Sequence, residues 1–400
     1  MLIVITNVYC YKNKGDAGLV IAMVETLKKK YKNPTIKIVS LYPEMDLGKY
    51  DEDVEVLEPP IKILNKGNKY ITAVHNLFGY FCMRIRWFFG RFSKTEKAIK
   101  DADLVLSCGG GYMQSFNVKY FINNFILHYV QLQCAVKFNK KFVIFAQTIG
   151  PFDSFTKKMV SPILEKAYLV TAREKISFSY AMNNFNIKNL QLTADAAFLL
   201  EPEVFDFDID KSMTNIGLTV RDWSFPNSGQ KEQLKENYIH VIVDFIEYYS
   251  KNGTCCMYIM PQCIGPNADN DLIISKKIFN CLKNRKNVYL IEDDLTPKQL
   301  RYAYSKMDYF VGTRMHSNIF ALGSGTPCLA ISYDYKTNGI MELAGMSDYV
   351  IDIKDITLEQ LKERFERLCS DNTVKERIIE AVNKIKEDSM LNFTLLEGSV

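Results

Sequence analysis

No apolar run in this sequence approaches the roughly 20 residues that a membrane-spanning helix needs. No Cys-x-x-Cys pair occurs among its ten cysteines, and the adjacent Cys255 and Cys256 lack metal-ligand spacing, so neither a zinc site nor a redox pair is expected. Excess charge of one sign is equally scarce. Fifty basic against 46 acidic side chains leave +4, too little to argue for a nucleic-acid partner. The Gly-x-Gly-x-x-Gly dinucleotide fingerprint is missing, as are internal repeats and low-complexity tracts. The opening Met1-Leu2-Ile3-Val4-Ile5 does not read as a secretory signal, so the thiols read as reduced and the expected location is cytoplasmic. What remains is an ordinary globular composition, 48% hydrophobic and 24% charged, long enough for two or three domains.

Short apolar runs alternate with helical spacing. Runs at 2–6, 35–41, 104–107, 142–146 and 168–171 predict the strands of one Rossmann-like half; runs at 215–220, 255–260, 288–291, 309–311 and 328–331 predict a second. The expected fold class is α/β: two doubly wound Rossmann-like domains, 1–200 and 214–400, facing each other across a cleft. A polar linker is expected at 201–213, and the last helix, 374–388 by its spacing, is a candidate to cross back to the first domain. Asp206, Asp208 and Asp210 lie in that linker and read as a solvated run in preference to a metal site.

Polar or glycine-rich residues follow one strand after another, where open α/β sheets bind ligands. In the first half these are Asn13-Lys14-Gly15-Asp16, with Asp16 placed to cap a helix at 17–31, then Gly109-Gly110-Gly111, Gln147 and Arg173. In the second half they are Arg221, the Pro261-Gln262 loop, and the unit between 308 and 345. There Gly312-Thr313 marks a strand-to-helix turn whose backbone N–H groups suit an anion. Arg314 adds a guanidinium fit for a bidentate grip, His316 a group that moves protons near neutral pH, and Lys336 a further cation.

Residues 70–92 interleave aromatic and basic side chains without an acid. Two readings stand: a core helix whose long cations reach past it to water, or a peripheral contact with a membrane surface. In the second, Trp87, Phe88, Phe89 and Phe92 enter the headgroups and Arg84, Arg86 and Arg91 meet anionic lipid.

The string Gly312-Thr313-Arg314-Met315-His316-Ser317, followed by Gly325-Thr326-Pro327 and Ser332-Tyr333-Asp334-Tyr335-Lys336, resembles the polysaccharide pyruvyl transferase family. So do Asn13 to Asp16, Ser107 to Gly111, Gln147 to Pro151, Ala172-Arg173-Glu174 and Ala194-Asp195-Ala196, in the family's order. The resemblance implies a GT-B-like fold and transfer of the enolpyruvyl unit of phosphoenolpyruvate onto two hydroxyls of a sugar in surface-polysaccharide synthesis. The acceptor is expected to be a lipid-linked oligosaccharide; no cofactor or metal is implied. His316 is then the candidate catalytic residue. Arg314, Arg173, Lys336, Gly312, Thr313 and Ser317 are candidates for the donor. Asn13, Asp16, Gly110, Gly111, Gln147, Arg221 and Gln262 are candidates for the acceptor or the cleft lining. Gln262 departs from the family pattern, which commonly has histidine there. A nucleotide-sugar glycosyltransferase would share the fold, but a convincing acidic ribose site is lacking. A non-catalytic glycan-binding relative would have little use for His316 beside three cations.

Overall fold

The computed structural model describes residues 1–64, 68–226, 228–251, 253–265 and 270–397. They form two compact units. The first comprises Met1–Tyr11, Leu19–Ala196 and Asp388–Val400; the second comprises Lys12–Gly18 and Ala197–Glu387.

In the first unit, strands β1 (Leu2–Val8), β2 (Thr35–Ser40), β3 (Glu55–Leu57), β4 (Leu104–Ser107), β5 (Gly110–Ser115), β6 (Phe142–Phe152), β7 (Leu169–Ala172) and β8 (Leu190–Leu192) make a parallel sheet. Its order is β3-β2-β1-β4-β6-β7-β8, with β5 paired to β6. Both faces are covered, which is why Ile3, Val4 and Ile5 in β1 are all buried and the strands read as unbroken apolar runs. The expected strands are present, with two corrections. The stretch from Gln147 to Pro151 is not a loop: β6 continues through it because β5 supplies a partner, Gly110 lying beside Gln147 and Met113 beside Ile149. Helix α1 (Lys14–Lys30) starts before Asp16, and Asn13 Oδ1 accepts the Asp16 N–H at 3.4 Å, so the capping side chain is Asn13.

The stretch 70–92 contains helix α2 (Lys69–Phe88). Trp87 and Phe92 turn inward, each against Phe138 with ring centroids 6.4 and 5.0 Å away, and Trp87 Nε1 donates to buried Glu96 at 2.8 Å. Arg86 pairs with the same carboxylate at 3.2 Å. Of the two readings, these three side chains therefore follow the first, packing on the core instead of entering a membrane surface.

The second unit is a six-stranded parallel sheet of β9 (Thr214–Thr219), β10 (Cys255–Ile259), β11 (Val288–Leu290), β12 (Tyr309–Gly312), β13 (Cys328–Ser332) and β14 (Val350–Asp352), in the order β11-β10-β9-β12-β13-β14. Residues 201–213 belong wholly to this unit. Asp206, Asp208 and Asp210 are exposed, while Phe205 packs on Tyr302 and Phe207 on Tyr258, so alternate residues of the run turn inward onto this unit. Between β12 and β13 lies helix α3 (Met315–Gly323). Helix α4 (Val374–Thr394) begins in the second unit, and its turns from Asp388 belong to the first. There buried Asn392 accepts the hydroxyls of Thr171 and Thr193 at 2.6 and 2.8 Å and donates to Ala194 O at 2.9 Å. No described helix is long and apolar enough to cross a membrane.

One buried carboxylate in the first unit makes stability depend on pH. Asp46 is fully buried, and desolvation pushes its pKa up to about 6 against the opposing hydrogen bonds from the Tyr11 N–H, Ser40 and Tyr50. An acid whose folded pKa is raised is most favourable to the fold below its unfolded pKa of about 3.9, and that contribution is lost as pH rises through about 6. Asp46→Asn should therefore stabilise the protein by about 1–3 kcal/mol at pH 7.5 and by nothing near pH 4. Denaturant unfolding at the two pH values checks this.

Candidate active site

In the second unit the carboxyl ends of β9, β12 and β13 lie side by side, with Gly312 in register with both Thr219 and Ala330. The chain leaves β12 through Gly312 because the first turn of α3 folds back onto it: a Cβ there would lie 1.8 Å from Asn318 Oδ1. Thr313 and Ser317, both fully buried, tie this turn to β9. The Thr313 N–H donates to Thr219 Oγ1 at 3.2 Å, its hydroxyl meets the Tyr238 hydroxyl at 2.9 Å, and Ser317 Oγ bonds both Arg314 O and Thr219 Oγ1 at 2.7 Å. The structure thus gives Thr313 and Ser317 internal partners that shape the turn.

Two side chains leave this turn toward two other segments. Arg314 forks onto Asp271, with Nη2 to Oδ1 at 2.6 Å and Nε 3.1 Å from both oxygens. Asp271 is fully buried and also accepts the Cys263 N–H at 2.9 Å. His316 faces residues 12–18. Its imidazole lies over Gly15, where a Cβ would come within 2.4 Å of Nδ1, and Nδ1 is 3.8 Å from Asp16 Oδ1. Asn13 Nδ2 holds the other Asp16 oxygen at 2.8 Å. The two segments are themselves joined, by a bridge between Asn13 and Cys263 and by the Lys14 N–H donating to Gln262 O at 3.1 Å. An imidazole beside a carboxylate, and a guanidinium beside another, are therefore fixed two residues apart on a central element, and such an arrangement can move a proton next to an anion.

Lys14 is almost completely buried and ends on Asp294 Oδ1 at 2.7 Å, with Lys12 on the same carboxylate. Burial raises the Asp294 carboxyl, but the two lysines outweigh it and leave the group below its usual range. Asp271 and Asp294 were not singled out from the sequence, and Lys14 entered only as part of the string Asn13 to Asp16. The acidic partners lie far along the chain from their cations, so no local spacing announces them. Gln262 is buried, its Oε1 accepting from the Tyr304 hydroxyl at 2.7 Å. Arg221 lies over the rings of Tyr333 and Trp223 at 4.3 and 5.1 Å, a cation–aromatic stack at the ends of β9 and β13. Lys336, in the first turn of the helix capped by Asp334, reaches that carboxylate at 3.3 Å.

The remaining candidates lie in the first unit. Arg173 is buried and bound to buried Asp195 at 2.6 Å and to Thr148 Oγ1 at 2.9 Å. Gln147, also buried, donates to Cys108 O at 2.6 Å. Gly110 has a φ of +140°, open to glycine alone without strain, and Gly111 follows it in β5. The same sheet edge holds a polar group that sequence reasoning missed. Asn7 Nδ2 donates to Ser107 Oγ at 3.1 Å and to the Tyr112 hydroxyl at 3.0 Å, and the Tyr112 ring stacks on His128 at 4.3 Å. Burial lowers the His128 pKa to about 3, so that ring is neutral at ordinary pH.

A family model described as Polysaccharide pyruvyl transferase matches residues 13–335. The amylovoran biosynthesis protein AmsJ of Erwinia amylovora is 20% identical over 382 residues, covering 89% of each chain. Among solved structures, the UDP-GlcNAc 2-epimerase of Neisseria meningitidis, bound to UDP-GlcNAc, superposes with a TM-score of 0.61 at 16% identity, over 99% of this chain and 100% of that one. The glycotransferase of kitacinnamycin superposes with a TM-score of 0.58 at 11% identity, over 100% and 99%. At such identities the likeness shows the fold, which is GT-B-like.

Proposed function

The chain belongs to the polysaccharide pyruvyl transferase family, and from that premise we propose that it moves the enolpyruvyl unit of phosphoenolpyruvate onto two hydroxyls of one sugar residue. In the first step a proton adds to the donor's methylene carbon while a sugar hydroxyl oxygen bonds to its central carbon and releases its own proton. In the second step the other hydroxyl bonds to that carbon as the bond to phosphate breaks, and its proton leaves with phosphate. The products are a cyclic ketal bearing a methyl and a carboxylate, and inorganic phosphate.

The observation that carries this reading is the placement of His316 against Gly15 and Asp16 at the start of α3, two residues after Arg314. His316 is assigned the proton transfer, with the Asp16 carboxylate 3.8 Å from its Nδ1. The donor's carboxylate and phosphate need cations and N–H groups close together. Arg314, Lys336 and the first turn of α3 supply both kinds at one sheet edge. Arg173 lies in the other unit, and its assignment to the donor rests on the resemblance alone. The acceptor in this reading is a saccharide carried on a lipid, with no cofactor beyond the donor itself. Phosphate release that requires both phosphoenolpyruvate and a saccharide acceptor is the expected result. Nucleotide release from a nucleotide sugar, with phosphoenolpyruvate inert, would replace this reading by a glycosyltransferase.

A further inference from the structure

Helix α2 is amphipathic in the wrong sense for a core helix. At 100° per residue, Asn76, Met83 and Trp87 share the face turned into the first unit, and all three are buried. Asn76 Nδ2 anchors that face, donating to Ile122 O at 2.9 Å. The opposite face is apolar and bare. Tyr70, Val74, Leu77 and Phe81 form its centre line, continued by Phe88, which is 85% exposed. Ile71, Phe78 and Ile85 flank that line, with Phe78 66% exposed. Twenty residues at 1.5 Å each make the stripe about 30 Å long. An exposed apolar row of this size, broken only by Arg84 near one end, marks a contact.

Charge decides between the occupants. Helix α2 contains neither Asp nor Glu. Lys69 opens it, Arg84 stands on the bare stripe near its other end, and Arg91 follows just beyond; all three are exposed. Lys119 lies over the Tyr70 ring at 5.4 Å. At the C-terminal end a surface depression of about 440 Å³ is lined by Arg84, Ile85, Trp87, Phe88, Phe89 and Lys137, so two exposed cations frame an apolar cup. A second copy of this chain, related by a two-fold axis, would lay the stripe on itself and bring cations against cations with no acid on the helix to answer them. An anionic bilayer surface satisfies both features: the rings enter the headgroup region and the cations meet lipid phosphates.

We propose that α2 is a membrane-surface anchor, lying parallel to an anionic bilayer with Tyr70, Val74, Phe78, Phe81, Ile85 and Phe88 inserted. This inference stands apart from the proposed reaction. Binding is reversible, since the stripe has interfacial and not spanning character. The test is flotation of the whole protein with phosphatidylcholine vesicles and with mixed phosphatidylcholine–phosphatidylglycerol vesicles at low salt. Wild type should float with the mixed vesicles. Lys69→Gln/Arg84→Gln/Arg91→Gln should lose roughly fivefold in partitioning per cation removed, about 10²-fold in all. Phe78→Glu/Phe81→Glu should lose binding as well, and because every substituted side chain is exposed, both variants should melt with the wild type. Absence of flotation by wild type, or equal flotation by wild type and the triple variant, would overturn the proposal. So would a wild-type dimer that the Glu pair converts to monomer, which would give the stripe to a second copy.

Discussion

His316→Asn is expected to lower turnover about 10²–10⁴-fold and to change stability by no more than about 1 kcal/mol. The imidazole is not a core filler. Its side chain keeps 11% of its surface open and lies on the bare Cα of Gly15, with Asp16 beyond Nδ1. Asparagine retains a polar group of similar reach while removing the titration, so the loss should fall on the chemical step and not on the fold. Turnover per folded molecule, set beside the melting curve, checks this. A variant that melts early yet turns over normally would make His316 a packing residue and remove the proton-transfer role.

Arg314→Ala should have its largest effect on stability. Asp271 is fully buried, and the guanidinium fork at 2.6 and 3.1 Å is its charged partner. Removing one member of a buried pair strands the other charge, at a cost of about 3–5 kcal/mol. The backbone N–H of Cys263 remains on Asp271 and offsets only part of that cost. Arg314→Lys should recover part of the loss, since an ammonium supplies the charge without the fork. Arg314→Met combined with Asp271→Leu should be markedly more stable than Arg314→Ala, because no buried charge is left alone. Equilibrium unfolding of the three variants decides the matter. An Arg314→Ala protein within about 0.5 kcal/mol of wild type, the range of an ordinary surface change, would show that the pair does not hold the site. Donor affinity of this variant has meaning only per folded molecule.

The strands were legible because parallel sheets covered on both faces leave unbroken apolar runs, as in β1 and β12. The turn at Gly312 and the helix after it were legible from the change of period from strand to helix. Three features were not. β6 extends past Ala146 only because β5, itself built from the Gly110-Gly111 stretch, pairs with it. No property of Gln147 to Pro151 taken alone announces a strand. The stretch 201–213 read as a linker through its aspartates, although the alternation of Phe205 and Phe207 with them was the visible sign of a segment packed on one side. In α2 the apolar periodicity was present, but periodicity does not say which face meets the protein, and Trp87 drew attention to the wrong one. At the site, Arg314, His316, Asn13 and Asp16 were all legible as polar residues at strand ends. Their pairing was not, since residues 12–18 join the second unit and not the first. Asp271, which settles the orientation of Arg314, is the first residue of a helix and resembles an ordinary acidic first-turn residue.

The most direct test of the central claim follows the donor's carbons and the proton. The enzyme is given phosphoenolpyruvate labelled with ¹³C at its central carbon, together with a saccharide acceptor, in D₂O, and the saccharide is then recovered for NMR and mass spectrometry. Ketal formation requires one solvent-derived hydrogen on the former methylene carbon. The account predicts a labelled quaternary carbon bonded to two sugar oxygens and a methyl group carrying one deuterium. A labelled carbon bonded to a single sugar oxygen with its methylene intact, or a saccharide without label while a nucleotide-sugar donor is consumed, would contradict it.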